Sequence, residues 1–114
     1  MGVNVLKEKS FLFAKRVVHC AKYLQEKKEF VLSKQLLRSG SAIGALAREA
    51  EMAESKRDFI HKMHIALKEA NETDYWIDLL IETEFLNQTD GASLKSDCVE
   101  ILKLLVSIVK SSKK

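Results

Sequence analysis

Apolar residues recur along this chain at intervals of three and four, the spacing of one face of an α-helix. From about residue 5 to 26, Leu6, Phe13, Val17, Ala21 and Leu24 make one stripe, with Asn4 placed to cap its first turn. Lys27-Lys28-Glu29-Phe30 reads as the turn that follows. A second helix is expected over about 34–53, capped by Ser33, with Leu32 and Leu37 at the two positions of a hydrophobic staple. Ser55 and Asp58 form the opening of a third, over about 56–86, whose inward positions are Phe59, Met63, Ala66, Ala70, Ile77 and Leu80. Asn87 to Gly91 supplies a further turn, and a fourth helix is expected over about 92–110.

Two of these helices carry more than a single core stripe. The body of the second, Ser39 to Ala47, is unusually poor in side-chain volume and holds Gly40 and Gly44 four residues apart. Glycine inside a helix costs about 1 kcal/mol relative to alanine, so close approach by a neighbouring helix is the expected compensation. The fourth has two adjacent apolar rows: Leu94, Cys98, Ile101, Leu105 and Ile108, then Val99, Leu102, Val106 and Val109. That is wider than one bundle face requires, and the second row predicts an oligomer interface with another copy of the chain. Short connections make sequential helices antiparallel, so the expected fold is all-α, an up-down-up-down antiparallel four-helix bundle forming one domain over 1–114.

Composition agrees with that pattern. The chain has 114 residues, no proline and four glycines, too few turn-formers for a strand-rich fold. Its most apolar stretch, Ile101 to Val109, is too short for a membrane span and is broken by Lys103 and Ser107. The opening Met1-Gly2-Val3-Asn4 lacks the features of a secretion signal, and a cytoplasmic location is expected. Cys20 and Cys98 sit on apolar faces far apart in sequence and read as buried free thiols.

Catalytic constellations are missing from the sequence. A di-iron bundle needs Glu-x-x-His motifs on two helices. Here only Asp58-x-x-His61 and His61-x-x-His64 occur, both on the third. Gly40 and Gly44 do not fit a phosphate loop, and no nucleophile elbow surrounds any serine. Neither an enzyme nor a cofactor is expected.

Charge gives the one candidate site. On the third helix Arg57, His61, His64 and Lys68 step by four, three and four, on one solvent stripe, with Lys62 beside them. The same helix ends in acids, Glu72, Asp74, Asp78, Glu82 and Glu84, against the preference of the helix dipole. In an antiparallel bundle Lys7, Lys9, Arg48, Lys56, Arg57, Lys62, Lys110, Lys113 and Lys114 then gather at one end, diluted by acids. Such a surface either faces solvent with ordinary ion pairs or neutralises phosphates of RNA or DNA. A net charge of +3 is modest for a monomeric nucleic-acid binder, and several copies would pool it. Tyr75 and Trp76 are expected as core and interface anchors rather than as a base-stacking platform.

Several stretches in order carry a family likeness: Ser33-Lys34-Gln35-Leu36-Leu37-Arg38-Ser39-Gly40, Ile43-Gly44-Ala45, Arg48-Glu49-Ala50, Ala53 through Ile60, Ile65 through Thr73, and Tyr75-Trp76. Together they resemble the bacterial four-helix bundle proteins encoded within intervening sequences of 23S ribosomal RNA genes, and the related accessory variability protein of diversity-generating retroelements. The resemblance implies a left-handed bundle assembling as a ring, commonly a homopentamer. It also implies possible partners, RNA or DNA and a reverse transcriptase or other protein. Leu46 stands where the family pattern has asparagine, whereas Arg38, Glu49, Glu69, Glu72 and Trp76 match. With Arg48, these charges are expected to form interhelical or intersubunit pairs that fix register. Two functions stay open: a nucleic-acid-binding oligomer, and a protein-interaction scaffold.

Overall fold

The computed structural model describes residues 2–113; Met1 and Lys114, the last of the expected basic cluster, lie outside the described residues. Four helices follow in order: α1 Gly2–Glu26, α2 Val31–Glu51, α3 Lys56–Glu82 and α4 Gln88–Ser112. Each packs against its sequence neighbours, and α1 also packs on α4, which closes a square about 44 Å long and 20 Å across. Cross-helix ion pairs fix the directions. Lys7 near the start of α1 meets Glu51 at the end of α2, Lys62 of α3 meets Glu49, and Lys95 of α4 meets Asp74 and Asp78 of α3. All neighbours are therefore antiparallel.

The core is the set of stripes read from the sequence. Leu6, Phe13, Val17 and Leu24 of α1 meet Leu36, Ile43 and Ala47 of α2, Met63, Ala66, Ala70, Ile77 and Leu80 of α3, and Leu94, Cys98, Ile101 and Leu105 of α4. Apolar area removed from water along these faces is what holds four otherwise marginal helices together. One polar contact is built into it: the buried Thr73 hydroxyl lies 2.9 Å from the Ser39 hydroxyl and 2.7 Å from the carbonyl of Glu69.

Several helix ends differ from expectation. Asn4 lies inside α1 rather than at its cap. Ser33 does not cap α2; it is buried in the first turn, with its hydroxyl unpaired among the described residues. Glu29 takes that role, its Oε1 accepting from the amides of Leu32 at 2.6 Å and Ser33 at 3.1 Å. A carboxylate supplies stronger, charge-assisted acceptors at a helix N-terminus, so α2 starts at Val31, three residues early. Ser55 does cap α3, accepting from the Asp58 amide at 3.0 Å, while Asp58 reaches back to the Glu54 amide at 3.1 Å.

The third helix stops at Glu82 rather than near residue 86, because Glu84 turns left-handed (φ 67°) and its neighbour Phe85 bonds back to Leu80. Asn87 then caps α4 through the Asp90 amide at 2.8 Å, so the segment expected as a turn is the first turn of α4. The second apolar row of α4 is also narrower than expected. Val109 is 6% exposed and belongs to the core, Leu102 packs against it, Val99 is half-buried, and only Val106 is open to solvent. Much of that surplus is used within one chain. Among the described residues no helix is long and apolar enough to cross a membrane.

Candidate nucleic-acid interface

The side chains facing the core from α3 are Met63, Ala66, Ala70, Thr73, Ile77 and Leu80. At 100° per residue the opposite meridian of the helix passes through Arg57, His61, His64 and Lys68. Arg57, His61 and Lys68 are exposed and His64 is half-buried. None of the four is ion-paired to a carboxylate among the described residues. They form a continuous cationic and imidazole ridge on the outer face of the bundle.

Lys62 departs from this ridge. It sits one residue beyond His61, which turns it toward α2, where its ammonium meets Glu49 at 3.3 Å. Neutralised in that seam, it is a register contact rather than part of the open surface. Tyr75 moves the other way. It lies 18 residues, or five full turns, beyond Arg57 and so returns to the same meridian. Its ring is 57% exposed rather than an anchor in the core, and stands edge-on to Trp76 at 5.1 Å. The ridge thus ends in an open aromatic face, about 27 Å from its first arginine at 1.5 Å per residue. The 18-residue spacing was the signal for it.

The charged residues matched by the family pattern mostly come together within one chain. Arg38 of α2 donates to Glu69 at 3.3 Å and pairs with Glu72, both on α3. Glu72 also accepts from the Trp76 indole at 2.9 Å. One carboxylate so ties an arginine of α2 to an aromatic of α3. Arg48 is different. Among the described residues it has no carboxylate partner, and its guanidinium stacks over the Phe11 ring at 5.5 Å. Leu46, in place of the pattern's asparagine, packs against the core.

On the diagonally opposite side, α1 and α4 part near the α3–α4 turn and leave a cavity of about 500 Å³. Arg16, His19, Cys20 and Tyr23 line it from α1, with Leu86, Asn87, Asp90 and Leu94 across from them. Burial pushes the Cys20 thiol up to about 11 and that of Cys98 to about 12, so neither is an activated nucleophile at neutral pH. Both are free, as the sequence suggested. Among the described residues no group of three His, Cys, Asp or Glu side chains converges as a metal ion requires.

Comparison with known proteins places this geometry. A search of curated proteins gave no match. Among solved structures, a crystal structure of a protein with unknown function from the S23 ribosomal protein family of Bacteroides thetaiotaomicron superposes with a TM-score of 0.94. It is 57% identical and the alignment covers 96% of this chain and 99% of that one. The family model described as 23S rRNA-intervening sequence protein matches residues 4–107, which include all of α2 and α3 and the motifs that align there. The chain belongs to the 23S rRNA-intervening sequence protein family.

Proposed function

We propose that this protein is a non-enzymatic, homo-oligomeric bundle that binds the backbone of RNA or DNA through the outer face of α3. The observation that carries this reading is the Arg57–His61–His64–Lys68 ridge, solvent-facing and without carboxylate partners among the described residues, leading to the exposed ring of Tyr75. Cations spaced along one helix suit phosphates, and a terminal aromatic adds a face on which an unpaired base can stack. The family name makes a structured RNA the first ligand to try. Pooling several copies raises the modest charge of one chain, and the residual apolar exposure of Val106, Val5 and Leu12 leaves surface for a neighbouring copy.

The test is a gel-shift or anisotropy titration with structured RNA and with duplex DNA across a salt series. Binding should weaken steeply with salt. Arg57→Gln and Lys68→Gln should each reduce the logarithmic salt slope by about 1 for each lost phosphate contact. Lys62→Gln, being turned into the α2 seam, should leave the slope unchanged. Affinity that survives Arg57→Glu, His64→Glu and Lys68→Glu together overturns the assignment. Light scattering that gives a monomer at micromolar concentration overturns the pooled-surface part alone.

A second reading, a scaffold for a protein partner, draws on the α1–α2 turn, where Phe30 and Val31 stand largely in solvent. Capture of the same protein partner from the native cell with and without nuclease treatment favours the scaffold. Loss of every partner on nuclease treatment favours nucleic acid.

A further inference from the structure

The α3 ridge has a counterpart on α4. From Ile101 to Lys113 the chain has no acidic residue, and it carries Lys103, Lys110 and Lys113 there. All three are exposed, and none is ion-paired to a carboxylate among the described residues. The first half of α3 is nearly as free of acids. Between Arg57 and Lys68 only Asp58 occurs, and it is taken up by the Glu54 amide. The remaining acids of both helices lie in their other halves, where Arg38 pairs with Glu69 and Glu72 and Lys95 with Asp74 and Asp78.

The antiparallel register brings these two cationic halves side by side. Lys95 bridges Asp74 at 3.0 Å and Asp78 at 2.8 Å, and Cys98 donates to the Ala70 carbonyl at 3.4 Å. Trp76 lies midway between the two partners of Lys95. Eight residues beyond Lys95 and eight before Trp76, Lys103 stands level with Lys68. A further seven bring Lys110 level with His61. Around α4, at 100° per residue, both lysines fall between the side that Lys95 turns to α3 and the side opposite the core. Asp97 and Glu100 turn the other way, to Arg16 and Lys9 of α1. Lys103, Val106, Ser107, Lys110 and Ser111 line a shallow groove along this surface. Val106 is its one apolar residue. Val5 and Leu12 share the side of α1 that carries Lys9 and Arg16, so an interface between copies built on them leaves the α3–α4 face open.

Two rows of cations suit two lines of phosphate. A single strand offers one line, whereas a duplex carries one on each side of a groove. Neighbouring helices pack with axes about 8–10 Å apart, so the α3 and α4 rows are separated on the scale of a duplex groove. Between the rows the face presents the half-buried His64 imidazole and the Ser107 hydroxyl, neither with a hydrogen-bond partner among the described residues. Such groups suit the wide, shallow minor groove of A-form RNA, which is recognised through its 2′-hydroxyls and phosphates. We infer, on the reading of the α3 ridge as a phosphate surface, that the ligand is duplex RNA held across its minor groove. One strand lies along Arg57 and Lys68 of α3 and the other along Lys103 and Lys110 of α4.

The experiment is an anisotropy titration of the full chain across a salt series with three probes of one sequence: duplex RNA, its single RNA strand and duplex DNA. Duplex RNA should bind at least tenfold more tightly than either of the others. Lys103→Gln with Lys110→Gln should lower the logarithmic salt slope on duplex RNA by about 2, one for each lost phosphate contact. On the single strand the slope should stay as in the parent. Both side chains are exposed, so the fold is preserved and an unchanged melting curve confirms it. Lys15→Gln with Lys22→Gln, an equal loss of charge at exposed positions of α1, should leave the duplex slope unchanged.

A parental slope in the Lys103, Lys110 double variant overturns the inference. So do equal affinities for duplex and single strand, duplex DNA bound as tightly as duplex RNA, or an equal fall in slope from the α1 pair. Failure of the second row and failure of the ridge are read separately. If Arg57→Gln with Lys68→Gln lowers the duplex slope and the α4 pair does not, the ridge stands and the second row falls. If only the α4 pair lowers it, the ridge falls and the two-strand assignment with it; if neither does, both fall.

Discussion

Gly40 of α2 and Val17 of α1 meet with no room for a methyl group: a Cβ at Gly40 would stand 2.8 Å from both γ-carbons of Val17. Val17 is fully buried and cannot step aside. Gly44, one turn further on, is different, since a Cβ there would lie 3.5 Å from Ser10, an ordinary contact. Gly40→Ala should therefore lose about 1–3 kcal/mol to overpacking. Gly44→Ala should be neutral or gain up to about 1 kcal/mol from helix propensity. Urea denaturation of the two variants checks the contrast, and equal losses would mean that both glycines serve the same contact.

That pair also shows how far the sequence could be read. The two glycines four residues apart signalled close helix packing, but periodicity cannot say which of them touches the partner. The core stripes were legible because every inward residue obeys the helical repeat. The start of α2 was not, since Ser33 is a good cap in isolation and only the competing Glu29 carboxylate displaces it. Of the basic residues on α3, spacing placed Arg57, His61, His64 and Lys68 together, but the loss of Lys62 to Glu49 depends on where α2 lies. The α1–α4 cavity had a faint trace, Arg16, His19, Cys20 and Tyr23 at helical spacing, with nothing in the sequence to show that α4 stands away from them.

Two turns at the same end of the bundle are built alike. Lys28 (φ 66°) and Glu84 (φ 67°) take the left-handed conformation, and the following amides, of Glu29 and Phe85, bond back to Leu24 and Leu80 at 2.9 Å. This is the Schellman closure of a helix, which favours glycine at the left-handed position. A side chain there costs about 1–2 kcal/mol, partly offset by the extra unfolded-state freedom of glycine, about 0.5–1 kcal/mol. Lys28→Gly and Glu84→Gly should each raise stability by roughly 0.5–1 kcal/mol on that balance. Thermal melts of the single variants and the double variant test this, and additivity is expected because the turns are distinct.

Glu72 holds two partners at once, Arg38 and the indole of Trp76. Arg38 is half exposed and retains Glu69, so the ion pair itself contributes less than about 1 kcal/mol. The indole N–H is the dependent group. Glu72→Gln keeps an acceptor for it and should cost under about 1 kcal/mol, while Glu72→Ala orphans it and should cost about 1–2 kcal/mol. Trp76 is the single tryptophan, so its emission reports the site directly. Alanine should shift that emission and glutamine should leave it near its original wavelength. Equal costs for the two variants would move the energy from the indole bond to the ion pair.

The thiols make the bundle sensitive to alkali. Burial pushes Cys20 up from 9.0 to about 11 and Cys98 up from 9.0 to about 12, and the Cys98 thiol donates to the Ala70 carbonyl at 3.4 Å. Unfolded thiols ionise near their ordinary value while folded ones keep their protons, so above it the unfolded chain binds fewer protons than the native one. The sign is thus a stability present below pH 9.0 and lost as pH rises toward the folded values near 11 and 12. Lys95 adds in the same direction, because its bond to Asp78 raises it above 10.5 and favours the ammonium in the native state. Urea midpoints measured from about pH 8 to about pH 11 should therefore fall, and the fall should begin before any lysine titrates. Cys98→Ala should flatten its early part, even though the lost packing lowers the whole curve. A parent midpoint that stays constant up to about pH 10.5 would show that the thiols ionise as readily in the bundle as in the unfolded chain.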